Sequence, residues 1–191
     1  MYKILFAAAL FLSCNQAEYK NPHIVIHTQL GDIEVELFPG QAPKTTAAFL
    51  SYIDSGFYTK TSFYRVLKTD EFPNPNNTGI IQGGMWQTNP EKKMTLAGIE
   101  HETTKQSGLT HQSGTISLAR TTPGSANTGF FICIGDQSTL DFGRRGTEDG
   151  QGFSAFGTVF KGMDIVRKIQ AKNSHGDRFD EKIEILKITR L

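Results

Sequence analysis

Alternation of apolar and polar positions dominates this chain. Residues 23–28 alternate and predict a strand, Gln29-Leu30-Gly31-Asp32 a turn, and Ile33-Glu34-Val35-Glu36-Leu37 a second strand with acids on one face. A helix is predicted next: Pro43 sits in its first turn, Ala47, Ala48, Phe49, Leu50 and Ile53 supply an apolar face, and Ser55-Gly56 ends it. Further strands are predicted over residues 62–67, 80–83, 115–119, 129–134, 155–160 and 183–191. A second helix is predicted over residues 163–171, with Met163, Ile165, Val166 and Ile169 apolar. Residues 68–79 read as an acidic, Pro/Asn-rich loop, and residues 85–113 as a long irregular stretch. Strands at both chain ends predict closure, which removes exposed edges. The expected class is mostly β: a closed eight-stranded antiparallel β-barrel with two capping α-helices. The interior of a barrel of about eight strands is filled by side chains, so a site belongs on the outer wall.

The first residues break this pattern. Met1-Tyr2-Lys3 is a short basic segment, residues 4–12 are an unbroken apolar run, and polarity returns at Asn15-Gln16. That is a secretory signal, too short for a permanent membrane span. Ser13-Cys14 at the cleavage point resembles the lipobox of bacterial lipoproteins, with Phe11 a departure from the usual leucine. The resemblance implies a signal peptide over residues 1–13, lipid on Cys14, a short tether to residue 22 and one domain over residues 23–191. The other reading is an ordinary signal peptide with an incidental cysteine. The lipid implies membrane attachment in the bacterial cell envelope, facing the periplasm. By the enteric sorting pattern, Asn15 in place of aspartate points to the outer membrane.

Charge and cysteine content narrow the function. The chain has 20 Lys+Arg and 19 Asp+Glu, and losing Lys3 with the signal leaves 19 against 19, net zero. A nucleic-acid partner, which wants a basic face, is not expected. Past Cys14 the only thiol is Cys133, set in the apolar run Phe130-Phe131-Ile132-Cys133-Ile134, so it reads as a small buried hydrophobe. The five histidines lack metal-ligand spacing, and no phosphate-binding loop or nucleophile elbow occurs. No metal and no cofactor is expected, and the protein is read as a monomer.

Three segments carry the candidate chemistry: Phe63-Tyr64-Arg65-Val66, Ile80-Ile81-Gln82-Gly83-Gly84 and Phe130-Phe131-Ile132. They set one arginine and one glutamine beside apolar strand residues, with no nucleophile near. Such a set suits a reaction that needs shape, dryness and one hydrogen-bond donor. Together with Thr28-Gln29-Leu30-Gly31-Asp32, Ala42-Pro43-Lys44-Thr45, Gly114-Thr115-Ile116-Ser117-Leu118-Ala119 and Phe156-Gly157-Thr158-Val159, in this order, they resemble the cyclophilin family of peptidyl-prolyl cis–trans isomerases from about His23 to the C-terminus.

The resemblance implies catalysis of X–Pro bond rotation. That rotation has a barrier of ~18–20 kcal/mol from amide resonance. Twisting the bond localises a lone pair on the prolyl nitrogen, and a donor aimed there favours the twisted state over either planar one. Shortening a process of about a hundred seconds to about ten milliseconds is ~10⁴-fold, or roughly 5.4 kcal/mol.

By resemblance, Arg65 is that donor and Gln82 holds the peptide and orients the arginine. Phe131, Ile80 and Leu140 line the proline slot, and Phe153 walls it. Phe130 points to the opposite strand face and is assigned to the core. Tyr64 stands where many members have histidine, Gly129 where the pattern has glutamine, and Arg120 where asparagine is frequent. The backbone at Ala119-Arg120 is still expected to pair with substrate. Thr139 replaces a tryptophan found in some members, so weak cyclosporin binding is expected. Loops 68–79 and 143–152 exceed the minimal pattern and flank the pocket. The expected partners are proline-containing exported polypeptides. The rival is a non-catalytic proline-peptide binding module or holdase on the same barrel; Gly129 and the two loops favour it, and Arg65, Gln82 and Phe131 oppose it.

Overall fold

In a computed structural model of the chain, the residues described are 19–70, 76–89, 91–92 and 95–191. The signal segment, Cys14 and most of the tether lie outside them, as do residues 71–75 of the first long loop. Strands β1 (His23–Thr28), β2 (Gly31–Leu37), β3 (Thr61–Lys68), β4 (Gly79–Gly84), β5 (Thr115–Leu118), β6 (Phe130–Ile134), β7 (Ser154–Lys161), β8 (Ser174–His175) and β9 (Arg178–Arg190) form one sheet. The order is β1-β2-β7-β5-β6-β4-β3-β9-β8, and β1 also pairs with β9. That pairing closes eight strands into an antiparallel barrel, while the two-residue β8 pairs only with β9 and hangs outside the ring.

Strand alternation decides what faces inward. In β6, Phe130, Ile132 and Ile134 join the interior cluster, whereas Phe131 and Cys133 belong to a second cluster on the outer wall. Phe130 is the hub: Phe49, Tyr58 and Phe63 all present their rings edge-on to it, with centroids 5.6, 5.7 and 5.7 Å away. Such tilted and edge-to-face arrangements suit the aromatic quadrupole.

The helices close over this core. Helix α1 (Pro43–Asp54) begins with Pro at the position that has no N–H to satisfy, and Glu102 accepts hydrogen bonds from the Lys44 and Thr45 backbone N–H groups at 3.1 and 2.7 Å. A carboxylate there supplies both acceptor and charge for the helix start. Its buried face is Thr45, Thr46, Phe49 and Ile53; Ala47 is exposed and Ala48 and Leu50 are half-buried, so the apolar stripe is narrower than expected. Helix α3 (Met163–Gln170) buries Val166, Ile169 and Gln170 against the barrel. A further, four-residue helix, α2 (Thr104–Ser107), lies in the stretch expected to be irregular, started by a Thr103/Gln106 capping box. The final strand begins five residues earlier than expected, at Arg178.

One local irregularity matters for the site. In the β3–β4 ladder Phe63 faces Gly83, but Arg65 faces Gln82, so Tyr64 is an extra, bulged residue. Without the bulge, alternation places Arg65 on the same face as Phe63. With it, Phe63 and Val66 both reach the core while Tyr64 and Arg65 both stand on the outer wall. At the end of β4, Gly84 has φ +127°, and a Cβ there would lie 2.5 Å from the Thr128 carbonyl oxygen, so only glycine fits.

Candidate active site

The register sets Arg65 on β3, Gln82 on β4, Phe131 on β6 and Ser117 on β5 opposite one another in a single row across the outer wall. Arg65 Nη1 donates to Gln82 Oε1 at 3.1 Å, and Gln82 Nε2 donates to Tyr64 Oη at 3.1 Å. Burial raises the Tyr64 pKa, so its hydroxyl stays protonated and is available to a ligand. Arg65 Nε donates to Asp177 Oδ2 at 2.7 Å.

Beside this polar row lies the second apolar cluster. It comprises Ile80, Phe131 and Cys133, with Ala119, Leu140 and Phe153 packed against it. The Phe153 ring meets Phe131 edge-on at 5.3 Å. A groove of about 270 Å³ adjoins it, lined on one side by Tyr64, Arg65, Gln82 and Trp86 and on the other by Ala119, Arg120 and Gly129. Ala119 belongs to both, so the apolar cluster and the open groove meet there. The groove itself does not extend over Phe131, Ile80, Leu140 or Phe153.

The pocket residues named from the sequence, Arg65, Gln82, Phe131, Ile80, Leu140, Ala119, Tyr64, Phe153, Gly129 and Arg120, therefore come to one wall, while Cys14 lies outside the described residues. Two of them do so in unforeseen ways. Arg120 has its side chain almost fully enclosed: Nη1 and Nη2 form a fork on Asp149 at 2.6 and 2.8 Å, and Nε and Nη2 reach the Gly152 carbonyl at 2.8 and 2.5 Å. It fastens the 143–152 loop beside Phe153, whose ring its guanidinium covers at 5.3 Å. The hydrogen bond from Arg120 holds the Asp149 carboxyl far below the usual range. At Gly129, a Cβ would sit at ordinary contact distance from Ala119 Cβ (3.5 Å), with Tyr64 Oη 3.9 Å away, so a side chain is absent rather than forbidden.

Sequence reasoning missed Asp177, Arg178 and Trp86. Trp86 is the only tryptophan in the chain, lies just after Gly84 and is exposed, which is a usable signal. Asp177 meets Arg65 from 112 residues away, which no local pattern reveals. A buried Ser-His-Asp relay was also missed. His111 Nδ1 lies 2.7 Å from Asp141 Oδ1 and Nε2 lies 3.0 Å from Ser117 Oγ, with the imidazole stacked at 5.8 Å on Phe131. Ser117 and His111 are both fully buried, so no substrate carbonyl reaches the hydroxyl. The relay instead braces the floor under Phe131. Among the described residues no group of His, Cys, Asp or Glu is placed to hold a metal ion.

The relay is expected to make stability depend on pH. Burial lowers the His111 pKa, with Asp141 pulling the other way, and burial also lowers that of His101, which faces Gln151, Ser154, Arg120 and Asp149. An unfolded histidine titrates at about 6.5. Below that pH the unfolded chain takes up protons before the folded one does, so stability is complete above it and falls as pH drops through it. Urea unfolding is expected to show a lower midpoint at pH 5.5 than at pH 7.5, with the difference reduced in His111→Gln. Equal midpoints for the parent would contradict this.

An apolar cluster and a polar, arginine-bearing groove side by side on the outer wall of a closed eight-stranded barrel define a cyclophilin-like architecture. Residues 23–190 match the family model described as cyclophilin type peptidyl-prolyl cis-trans isomerase/CLD, and the chain belongs to that family. It is 39% identical over 150 residues to a peptidyl-prolyl cis-trans isomerase of Acinetobacter baylyi, covering 78% of this chain and 72% of the relative. It is 36% identical over 148 residues to peptidyl-prolyl cis-trans isomerase B of Escherichia coli, covering 77% and 83%. A crystal structure of a cyclophilin type isomerase from Cryptosporidium parvum, 23% identical, superposes with a TM-score of 0.69 over 89% of this chain and 97% of that one, a likeness of fold. The protein is thus a peptidyl-prolyl cis–trans isomerase.

Proposed function

We propose that this isomerase turns X–Pro bonds in exported polypeptides by donating a hydrogen bond from Arg65 to the prolyl nitrogen. The observation that carries the reading is the transverse row in which Arg65 and Gln82 are bonded to each other beside Phe131. In this reading the proline ring settles against Phe131, Ile80, Leu140 and Phe153. The chain preceding the proline runs along the groove at Ala119 and Arg120. A Cryptosporidium parvum cyclophilin type isomerase of the same fold, 24% identical, has a crystal structure determined in the presence of the dipeptide Ala-Pro.

The chemistry asked of these residues is modest. Rotation makes and breaks no covalent bond, so the site needs only to hold both sides of the bond and to favour the pyramidal nitrogen. An arginine N–H is always charged and offers a fixed fork. In a partly dry groove its bond to a developing lone pair strengthens as the amide twists. Gln82 accepts from Arg65 through its oxygen and donates through its nitrogen, so it fixes the guanidinium plane.

Exchange spectroscopy of a short Ala–Pro peptide with the chain from Asn15 onward, which keeps every strand of the barrel, tests the reading. Catalysed exchange with resonance shifts centred on Arg65, Gln82, Ala119, Phe131 and the apolar residues packed around Phe131 is expected. Peptide binding without exchange would favour the binding-module alternative.

The address is proposed from the leader. Residues 1–13 act as the signal, Cys14 carries lipid, and the tether leads to the barrel at the periplasmic side of the envelope, at the outer membrane by the residue Asn15. Labelled fatty acid fed to cells is expected to enter the protein, and Cys14→Ser is expected to lose both label and membrane association. Equal labelling of the variant would end the lipoprotein reading.

A further inference from the structure

Arg65 is held from two sides. Gln82 Oε1 accepts from its Nη1, and Asp177 Oδ2 accepts from its Nε at 2.7 Å. The carboxylate is itself fixed by the main chain, because the Asp177 carbonyl accepts from the backbone N–H of Val66, the next residue after Arg65, at 2.9 Å. The fold departs from regular pairing to allow this. Between Phe63 and Arg65 the β3–β9 register jumps from Ile183 to Arg178, so the early part of β9 and the turn before it swing toward the bulge at Tyr64. The small β8–β9 pairing, Ser174 with Phe179 and His175 with Arg178, closes the turn that presents Asp177.

We propose that Asp177 is a positioning residue for the isomerase reaction: it locks the guanidinium plane of Arg65 so that the N–H groups left over point into the groove. This rests on the reading of Arg65 as the donor. The guanidinium has five N–H groups. One is given to Asp177 and one to Gln82, on adjacent corners of the plane, and two fixed corners define its orientation. The remaining three have no described protein partner, and Arg65 lines the groove.

Its contribution to stability and its contribution to rate are expected to separate. The two side chains are 38% and 46% exposed. Ion pairs that open to water add little to stability. Orientation is a different matter, since a shift of about 1 Å at a reacting group costs as much as 10²-fold in rate. Removing Asp177 is therefore expected to spare the fold and slow the chemistry. The opposite case is also physically clear. If the ion pair instead restrains Arg65 from the substrate, its loss accelerates turnover.

The test is a double-mutant cycle with kcat and KM obtained separately from Ala–Pro peptide titrations by exchange spectroscopy. Asp177→Ala is expected to lower kcat about tenfold with KM within about twofold and an unchanged melting temperature. Asp177→Asn, which keeps an oxygen to accept from Nε, is expected to recover most of that loss. In an Arg65→Ala background, Asp177→Ala is expected to do nothing further. A kcat for Asp177→Ala within about twofold of the parent, or above it, overturns the proposal, and so does an undiminished effect in the Arg65→Ala background. If Arg65→Ala itself keeps full activity, the donor assignment falls instead, and this inference falls with it.

Discussion

Arg65→Ala is expected to lower kcat/KM for X–Pro rotation by about a hundredfold, in line with the loss of one preorganised donor to a developing charge. The loss should appear in kcat, because the donor acts on the twisted amide more than on either planar form. Peptide affinity should change little, since Phe131, Ile80, Leu140 and Phe153 are untouched. Arg65→Lys is expected to rescue only part of the rate. An ammonium keeps the charge but has no planar fork with which to engage Asp177 and Gln82 together. Exchange spectroscopy on a peptide with both isomers populated reads these values without a coupled protease. Full activity in Arg65→Ala would remove the arginine from the mechanism and leave the family assignment standing.

The largest effect on stability is expected from Phe130→Ala. The side chain is fully buried and touches the rings of Phe49, Tyr58 and Phe63 from three directions. Truncating a core phenylalanine costs about 3–5 kcal/mol, through lost burial and the cavity left behind. Against a total of about 5–15 kcal/mol, that is a large share of the stability of the domain. In a domain of this size a melting temperature lower by about 10 °C is expected, with a reduced urea midpoint and an unchanged slope. Its neighbour belongs to the outer cluster but is also buried, at 2% exposure and packed on His111 and Phe153, so Phe131→Ala is expected to cost stability and, in addition, peptide binding. A Phe130→Ala protein as stable as the parent would mean that the barrel interior repacks freely.

The contrast between these two adjacent phenylalanines was legible in the sequence, because strand alternation alone sends them to opposite faces. So was the proline-led first helix. The outer-wall grouping of Arg65, Gln82 and Phe131 was implied by the family resemblance, since regular alternation turns Arg65 inward with Phe63. What stayed hidden depends on contacts between distant segments. The bulge at Tyr64 is written locally only as a break in alternation, with Phe63 and Val66 both apolar and three apart. The early start of β9 was not legible because residues 178–182 are mostly charged and exposed there. Their pairing with β3 and β8 holds them extended, not their own propensity. Arg120 read as an open contact position, yet its fate was decided by Asp149 and the Gly152 carbonyl, which lie on an inserted loop. The irregular stretch after β4 hid a helix of four residues, too short for any periodic signal.

Cys133 has a practical consequence. It sits in β6, flanked by β4 and β5, with no exposed surface, and burial pushes its thiol far above the ordinary range. Past residue 14 the chain carries no other sulfhydryl. In the chain from Asn15 onward, a thiol-reactive reagent therefore reaches sulfur only during excursions that uncover the outer-wall cluster around Ile80 and Phe131. The rate of that modification is a built-in clock for opening of this wall. Read with and without peptide, it would weigh substrate binding against unfolding in a single unlabelled molecule.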